Sequence, residues 1–245
     1  MKHYPPVGEA KGKKKEVALM FDAVAPRYDL LNRLLSGGID RSWRKAAVNM
    51  LAPHKPKRIL DLATGTADLA IEAIRLNPEK IVGVDIAEEM LKIGREKLRK
   101  INLDDRITLQ RGDAEKLPFS DSQFDGAMVS FGVRNFENLQ KGLKEIRRVL
   151  KPGGALVILE FSRPRAFPIK QFYGIYSKYI MPAIGKLFSK SSSGAYKYLP
   201  DSIAVFPDGD NFLAELEAAG YENREAKRLT FGVASLYKGV VPGKK

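Results

Sequence analysis

Arg58-Ile59-Leu60-Asp61-Leu62-Ala63-Thr64-Gly65-Thr66-Ala67-Asp68, followed by Lys80-Ile81-Val82-Gly83-Val84-Asp85, decides the fold. Arg58 to Ala63 is an apolar run of strand length. Thr64 to Asp68 is a tight turn of small residues, and Leu69 to Ile74 reads as a helix. The second run ends on an acid. Together they make a strand–helix–strand unit whose turn lets a ligand approach the backbone and the N–H groups of a helix start. An acid about 20 residues beyond such a turn suits a ribose diol. The unit therefore predicts an adenosine-containing cofactor.

A dinucleotide site would use G-x-G-x-x-G to seat a pyrophosphate. Only Gly65 is present here, and Asp61 at the strand end would repel phosphate. S-adenosylmethionine has no phosphate, carries a sulfonium cation and ends in an amino acid. A carboxylate and two hydroxyls suit it better, so it is the expected cofactor.

The 245 residues suit one domain with an inserted cap. Cysteine is absent, which excludes disulfides, thiolate catalysis and cysteine-held zinc; no metal site is expected. No apolar run reaches 18 residues and no secretory core stands at the N-terminus, so a cytoplasmic protein is expected. The net charge of +13 favours an anionic surface or substrate. Residues 1–16, with Pro5-Pro6 and Lys13-Lys14-Lys15, read as a flexible basic tail, and 17–245 as a single domain.

Residues 17–51 read as helical, broken at Pro26 and at Gly37-Gly38, and would cover the cofactor site with Tyr28 and Asn32. Beyond Asp85, Ala87 to Lys100 is an amphipathic helix. Strands are expected at Arg106–Gln110, Phe124–Val129 and Ala155–Leu159. A helix over Asn138–Leu150 is stopped by Lys151-Pro152-Gly153-Gly154. This alternation predicts an α/β fold, a doubly wound, mostly parallel sheet. Polar groups follow each strand, where such sheets bind ligands: Asp113 and Ala114, then Ser130 to Asn135, then Glu160. Cofactor candidates are Asp61, Thr66, Asp85, Ile86, Asp113, Ala114 and Ser130.

Two signatures then resemble the ubiquinone/menaquinone biosynthesis C-methyltransferases, within the class I S-adenosylmethionine-dependent fold. One is Tyr28-Asp29 through Asn32, Ser36, Gly38 and Trp43-Arg44. The other is Arg148 to Gly154 through Glu160-Phe161-Ser162; Ser130-Phe131-Gly132-Val133-Arg134-Asn135 also matches. The resemblance runs from about Val17 to about Gly239 and implies a Rossmann-like seven-stranded sheet with a reversed last strand. It places cofactor contacts on Thr66, Asp85, Asp113-Ala114 and Ser130. Ala67 stands where many members have glycine, and Asp113 where many have asparagine.

The reaction implied is methyl transfer from S-adenosylmethionine to a ring carbon of a prenylated quinol, with a menaquinone or a ubiquinone precursor as substrate. His3 and His54 are poor bases, one in the tail and one before the first strand. Catalytic candidates are Arg134, Asn135, Tyr28 and Tyr196, or a water held by Arg134; a salt bridge to a neighbouring acid is the plainer role for Arg134. Residues 163–205 form a cap rich in aromatics and lysine, able to lie on an anionic membrane or to line a prenyl channel. Ser191 to Gly194 reads as a hinge and Tyr196 to Pro200 as a lid. The rival reading is a methyltransferase of another small molecule or of RNA. Nucleic acid is not the expected partner, and a homo-oligomer is left open.

Overall fold

The computed structural model describes residues 12–175 and 193–243; the side chains of 172, 175 and 193–197 also lie outside the description. Seven strands form one sheet in the order β3-β2-β1-β4-β5-β7-β6. They are β1 (Arg58–Leu62), β2 (Lys80–Asp85), β3 (Ile107–Arg111), β4 (Phe124–Ser130), β5 (Leu150–Phe161), β6 (Glu222–Leu229) and β7 (Ala234–Val240). The first five are parallel; β7 runs antiparallel to β5, with Ile158 opposite Tyr237. This is the expected doubly wound sheet with its reversed last strand.

Successive strand residues face opposite sides, and both sides are covered. Leu60 and Leu62 belong to a core with Val84, Phe124, Ile146, Phe212 and Tyr237. Ile59 belongs to another with Trp43, Leu51, Leu69, Leu91 and Val157. Strands buried on both faces read as continuous apolar runs, which is why β1, β2 and the end of β5 are plain in the sequence.

The helices that matter to the site are α1 (Lys13–Val24), α2 (Tyr28–Ser36), α3 (Asp40–Leu51), α4 (Asp68–Ala73), α5 (Glu88–Lys100), α6 (Leu139–Val149), α7 (Ile169–Ile175), α8 (Ser193–Val205) and α9 (Asp210–Ala218). The expected tail is corrected at its end. Residues 13–16 are already helix, because Lys14 Nζ lies 2.7 Å from Asp113 Oδ2 and 3.0 Å from Glu115 Oε2. Lys13 Nζ donates to the carbonyls of Arg134 and Phe136. Such long-range partners order a segment that composition alone marks as solvated.

The chain winds from β1 outward to β3, then returns to place β4 on the other side of β1. That reversal opens a crevice at the C-terminal ends of β1 and β4. Among the described residues no helix is long and apolar enough to cross a membrane.

Candidate active site

The turn after β1 is wound from left-handed residues. Ala63, Gly65 and Ala67 have φ of 51°, 55° and 70°. For alanine this conformation is strained, and such strain collects at functional sites. The turn holds because Gly65 N–H donates to Asp85 Oδ2 at 2.8 Å, while Asp85 Oδ1 accepts from Ala87 N–H at 2.9 Å. Across the crevice, Gly132 packs so closely on Ala63 that an added Cβ would sit 2.4 Å from the alanine methyl. The loops after β1 and β4 therefore form one continuous floor.

Two adjoining cavities stand on this floor. The first, of about 670 Å³ counted to its open mouth, is lined by Gly65, Asp85, Ile86, Asp113, Ala114, Ser130 and Asn135, with Lys14 and Val17 of α1 over it. The structure thus brings together Asp85, Ile86, Asp113, Ala114 and Ser130. The second, of about 1080 Å³, lies between α2, α3 and α8. Its walls are mainly apolar, with Met20, Leu31, Leu35, Trp43, Phe161 and Leu199 beside Arg134. Phe21, Tyr28 and Phe131 line both cavities, so the two meet there.

Two cofactor candidates sit outside the first cavity's lining. Thr66 is buried and turned toward α2, its hydroxyl donating to Asp29 Oδ1 at 2.6 Å and accepting from Lys97 Nζ at 3.1 Å. Its partners come from distant helices, and they draw the side chain away from the cavity. Asp61 is buried beneath the turn, accepting from the Thr64 hydroxyl at 2.6 Å. Its Oδ1 has no hydrogen bond of normal geometry among the described residues, although the Ala70 amide lies close enough to steady its charge. Burial, with Asp85 adding, pushes the Asp61 carboxyl up to about 7 against the Thr64 hydroxyl. A buried acid with one oxygen unpaired, next to the turn that lines the cavity, suits a nearby cation. The Asp85 carboxyl is also raised by burial, while the Ala87 and Gly65 amides favour its charge. These acids and the glycine-tight turn fit S-adenosylmethionine.

Arg134 is anchored at the second cavity by an ion pair and two further hydrogen bonds. Its Nη1 lies 2.8 Å from Glu160 Oε1, and Nε donates to Ser202 Oγ at 3.3 Å. Nη1 also bonds the Phe131 carbonyl. The plainer role, a salt bridge, is therefore real. The Nη2 group has no hydrogen-bond partner among the described residues, so its two N–H donors remain for a ligand in the second cavity. The guanidinium also stacks 5.5 Å from the Phe161 ring centroid.

Burial raises the Tyr28 phenol above its ordinary range, with Asn32 opposing. Tyr28 thus remains a hydrogen-bond donor at neutral pH and is a poor base. Tyr198 on α8 donates to Asn135 Oδ1 at 2.9 Å, joining this helix to the first cavity. Sequence reasoning placed Tyr198 only in the expected lid and named Tyr196, two residues before it, as the catalytic candidate; the Tyr196 side chain lies outside the described residues. It also passed over Glu115, a buried acid that accepts from the Glu137 and Asn138 amides and pairs with Lys14. The Lys-Lys-Lys run was the available signal for a distant acid.

Most of the aromatic cap, with Lys178, Lys186, Lys190 and the Ser191–Ser192 part of the hinge, falls outside the described residues. Of its start, Arg163 and Arg165 both reach Asp208 Oδ1, at 3.2 and 3.0 Å. Their charge is partly spent inside the fold, since Asp208 returns to them from more than 40 residues away.

Known proteins resemble this chain over most of its length. The model of the ubiE/COQ5 methyltransferase family matches residues 9–241. The demethylmenaquinone methyltransferase of Bacteroides fragilis is 51% identical over 228 residues, covering 92% of this chain and 93% of its own. The ubiquinone/menaquinone biosynthesis C-methyltransferase UbiE of Geotalea daltonii is 46% identical, covering 93% and 97%. A Thermotoga maritima S-adenosylmethionine-dependent methyltransferase, described as a possible histamine N-methyltransferase, superposes with a TM-score of 0.64 at 22% identity, over 91% of this chain and 98% of its own. That likeness shows the fold alone. The family match and these relatives span nearly the whole chain, turn and cavities included, and the chain belongs to the ubiE/COQ5 methyltransferase family.

Proposed function

We propose that this protein is an S-adenosylmethionine-dependent C-methyltransferase that methylates a ring carbon of a prenylated quinol: demethylmenaquinol, 2-polyprenyl-6-methoxy-1,4-benzoquinol, or both. The observation that carries this reading is the meeting of an acid-lined cavity and an apolar one at Tyr28 and Phe131. The names borne by its relatives favour the same chemistry.

When bound, S-adenosylmethionine supplies an electrophilic methyl group on its sulfonium. Asp85 would hold the ribose hydroxyls, and Asp113 with Ala114 the adenine edge. Asp61 would balance the cationic end. The quinol ring would lie at the junction, against Phe131, with its tail in the apolar cavity. Tyr28 and Asn135 would orient the ring hydroxyl, and a water would take its proton. As that proton leaves, the oxygen becomes negative and the ring carbon gains nucleophilic character; once that carbon carries the methyl group, its own hydrogen would leave as a proton to water and the ring would regain its aromaticity. The Arg134 Nη2 donors would stabilise the oxygen. Placing both reactants in line supplies much of the acceleration.

The same proposal includes peripheral contact with an anionic membrane at its cytoplasmic face. Phe167, 81% exposed at the start of the cap, favours it. Label transfer from methyl-labelled S-adenosylmethionine into a lipid extract, with an RNA control, tests the function. Counts are expected in the lipid fraction; counts confined to RNA, or none, would overturn it.

A further inference from the structure

The two sides of α2 carry different chemistry. Tyr28, Leu31, Asn32 and Leu35 line the apolar cavity. On the opposite side, Leu30, Arg33, Leu34 and Gly37 repeat with the same helical spacing and face outward. A solvent stripe on a surface helix is normally polar, yet Leu30 and Leu34 are 50% and 47% exposed. Ile39, just beyond the Gly37-Gly38 turn, is exposed as well.

Along this stretch of chain the charge left unpaired among the described residues has one sign. Between residues 23 and 45 the only acids are Asp29 and Asp40. Asp29 is turned to Lys97 and Thr66, and Asp40 is buried against Ser36 and Arg44. Arg33, Arg41 and Lys45 remain exposed. Exposed leucines among bases with no acid partner among the described residues suit the headgroup boundary of an anionic bilayer.

We propose that the outer face of α2, with the α2–α3 turn, docks on an anionic lipid bilayer and sets the apolar cavity against the membrane. This rests on the reading of the substrate as prenylated. A tail drawn from the bilayer then reaches the cavity by passing a single helix, whose inner face already lines it. The surface is distinct from the cap at 163–205, since it is built before β1.

Flotation with phosphatidylglycerol-containing vesicles tests this on the full-length protein. Leu30→Asp with Leu34→Asp should lower vesicle binding by at least about ten-fold, and Arg33→Gln with Arg41→Gln should lower it and flatten its salt dependence. All four side chains are exposed, so thermal melts should be unchanged; if the aspartate pair fails to fold, the glutamine pair decides. Methylation of a tailed quinol presented in vesicles should fall in parallel, while that of a short, water-soluble quinol stays at the unaltered protein's rate. Flotation of both variants like the unaltered protein overturns the proposal. So does a change from dimer to monomer in sedimentation with no vesicle binding by the unaltered chain, which would make this face a contact between copies. Failure of the unaltered protein to methylate either quinol would instead strike the substrate reading, and flotation would still decide the docking.

Discussion

Arg134 Nη1 stands 2.8 Å from Glu160 Oε1, with the two side chains 6% and 0% exposed, at the end of β5 where the apolar cavity begins. Burial raises the Glu160 carboxyl and the Arg134 guanidinium holds it down. Removing one member of a buried pair leaves the other uncompensated, at a cost of about 3–5 kcal/mol. Arg134→Ala should therefore lose stability on that scale in urea unfolding, in addition to turnover. Arg134→Lys keeps the charge but loses the planar fork and the Nη2 donors. It should stay folded, bind cofactor nearly normally and turn over about 10²–10³-fold more slowly. Wild-type turnover in the lysine variant would remove Arg134 from the chemistry.

Asp85 joins the β1 turn to the start of α5 through the Gly65 and Ala87 amides. Asp85→Ala should weaken S-adenosylmethionine binding by about 1.5–3 kcal/mol, the scale of a charge-assisted hydrogen bond. Calorimetry on the folded variant checks this, and unchanged affinity would refute the ribose assignment.

Asp61 predicts a proton release. Its carboxyl is pushed from 3.8 to about 7 by burial, so between those values the native state holds a proton that the unfolded chain has lost. Stability from this group is greatest below about pH 4 and falls as pH rises through about 7. Asp61→Asn should remove that slope. A cofactor cation above Asp61 should also expel its proton near pH 6.5 but not at pH 8.5. Calorimetry in buffers of different ionisation heat reads this directly. An equal proton count at both pH values would place the cation elsewhere.

Tyr198 ties α8 to Asn135. Tyr198→Phe should cost about 0.5–1.5 kcal/mol in kcat/KM for the quinol, the worth of one hydrogen bond. Equal kinetics would mean that α8 serves the quinol without this bond.

The fold was legible where burial is local in sequence. Ile59, Leu60, Leu62 and Ile81 to Val84 are apolar because both faces of the sheet are covered, and Asp85 follows as the strand's polar tip. What escaped was pairing over long separations. Lys14 looked like tail because its partners Asp113 and Glu115 are about a hundred residues away. Thr66 was read as a cofactor contact with no sign that its hydroxyl is held by Asp29 and Lys97 from distant helices. Arg163 and Arg165 looked free for lipid, yet both reach Asp208. Motif residues on the strand ends transferred well to the cavity; side-chain direction depended on neighbours that no short window contains.

The most direct test is the position of the transferred methyl group. The purified protein is given methyl-deuterated S-adenosylmethionine and a reduced, prenylated demethylnaphthoquinol, and the product is fragmented by mass spectrometry. The label should appear on a ring carbon of the quinol and be absent when the substrate is kept oxidised. Label on a quinol oxygen, or no labelled quinol from an active, cofactor-binding preparation, would contradict C-methylation.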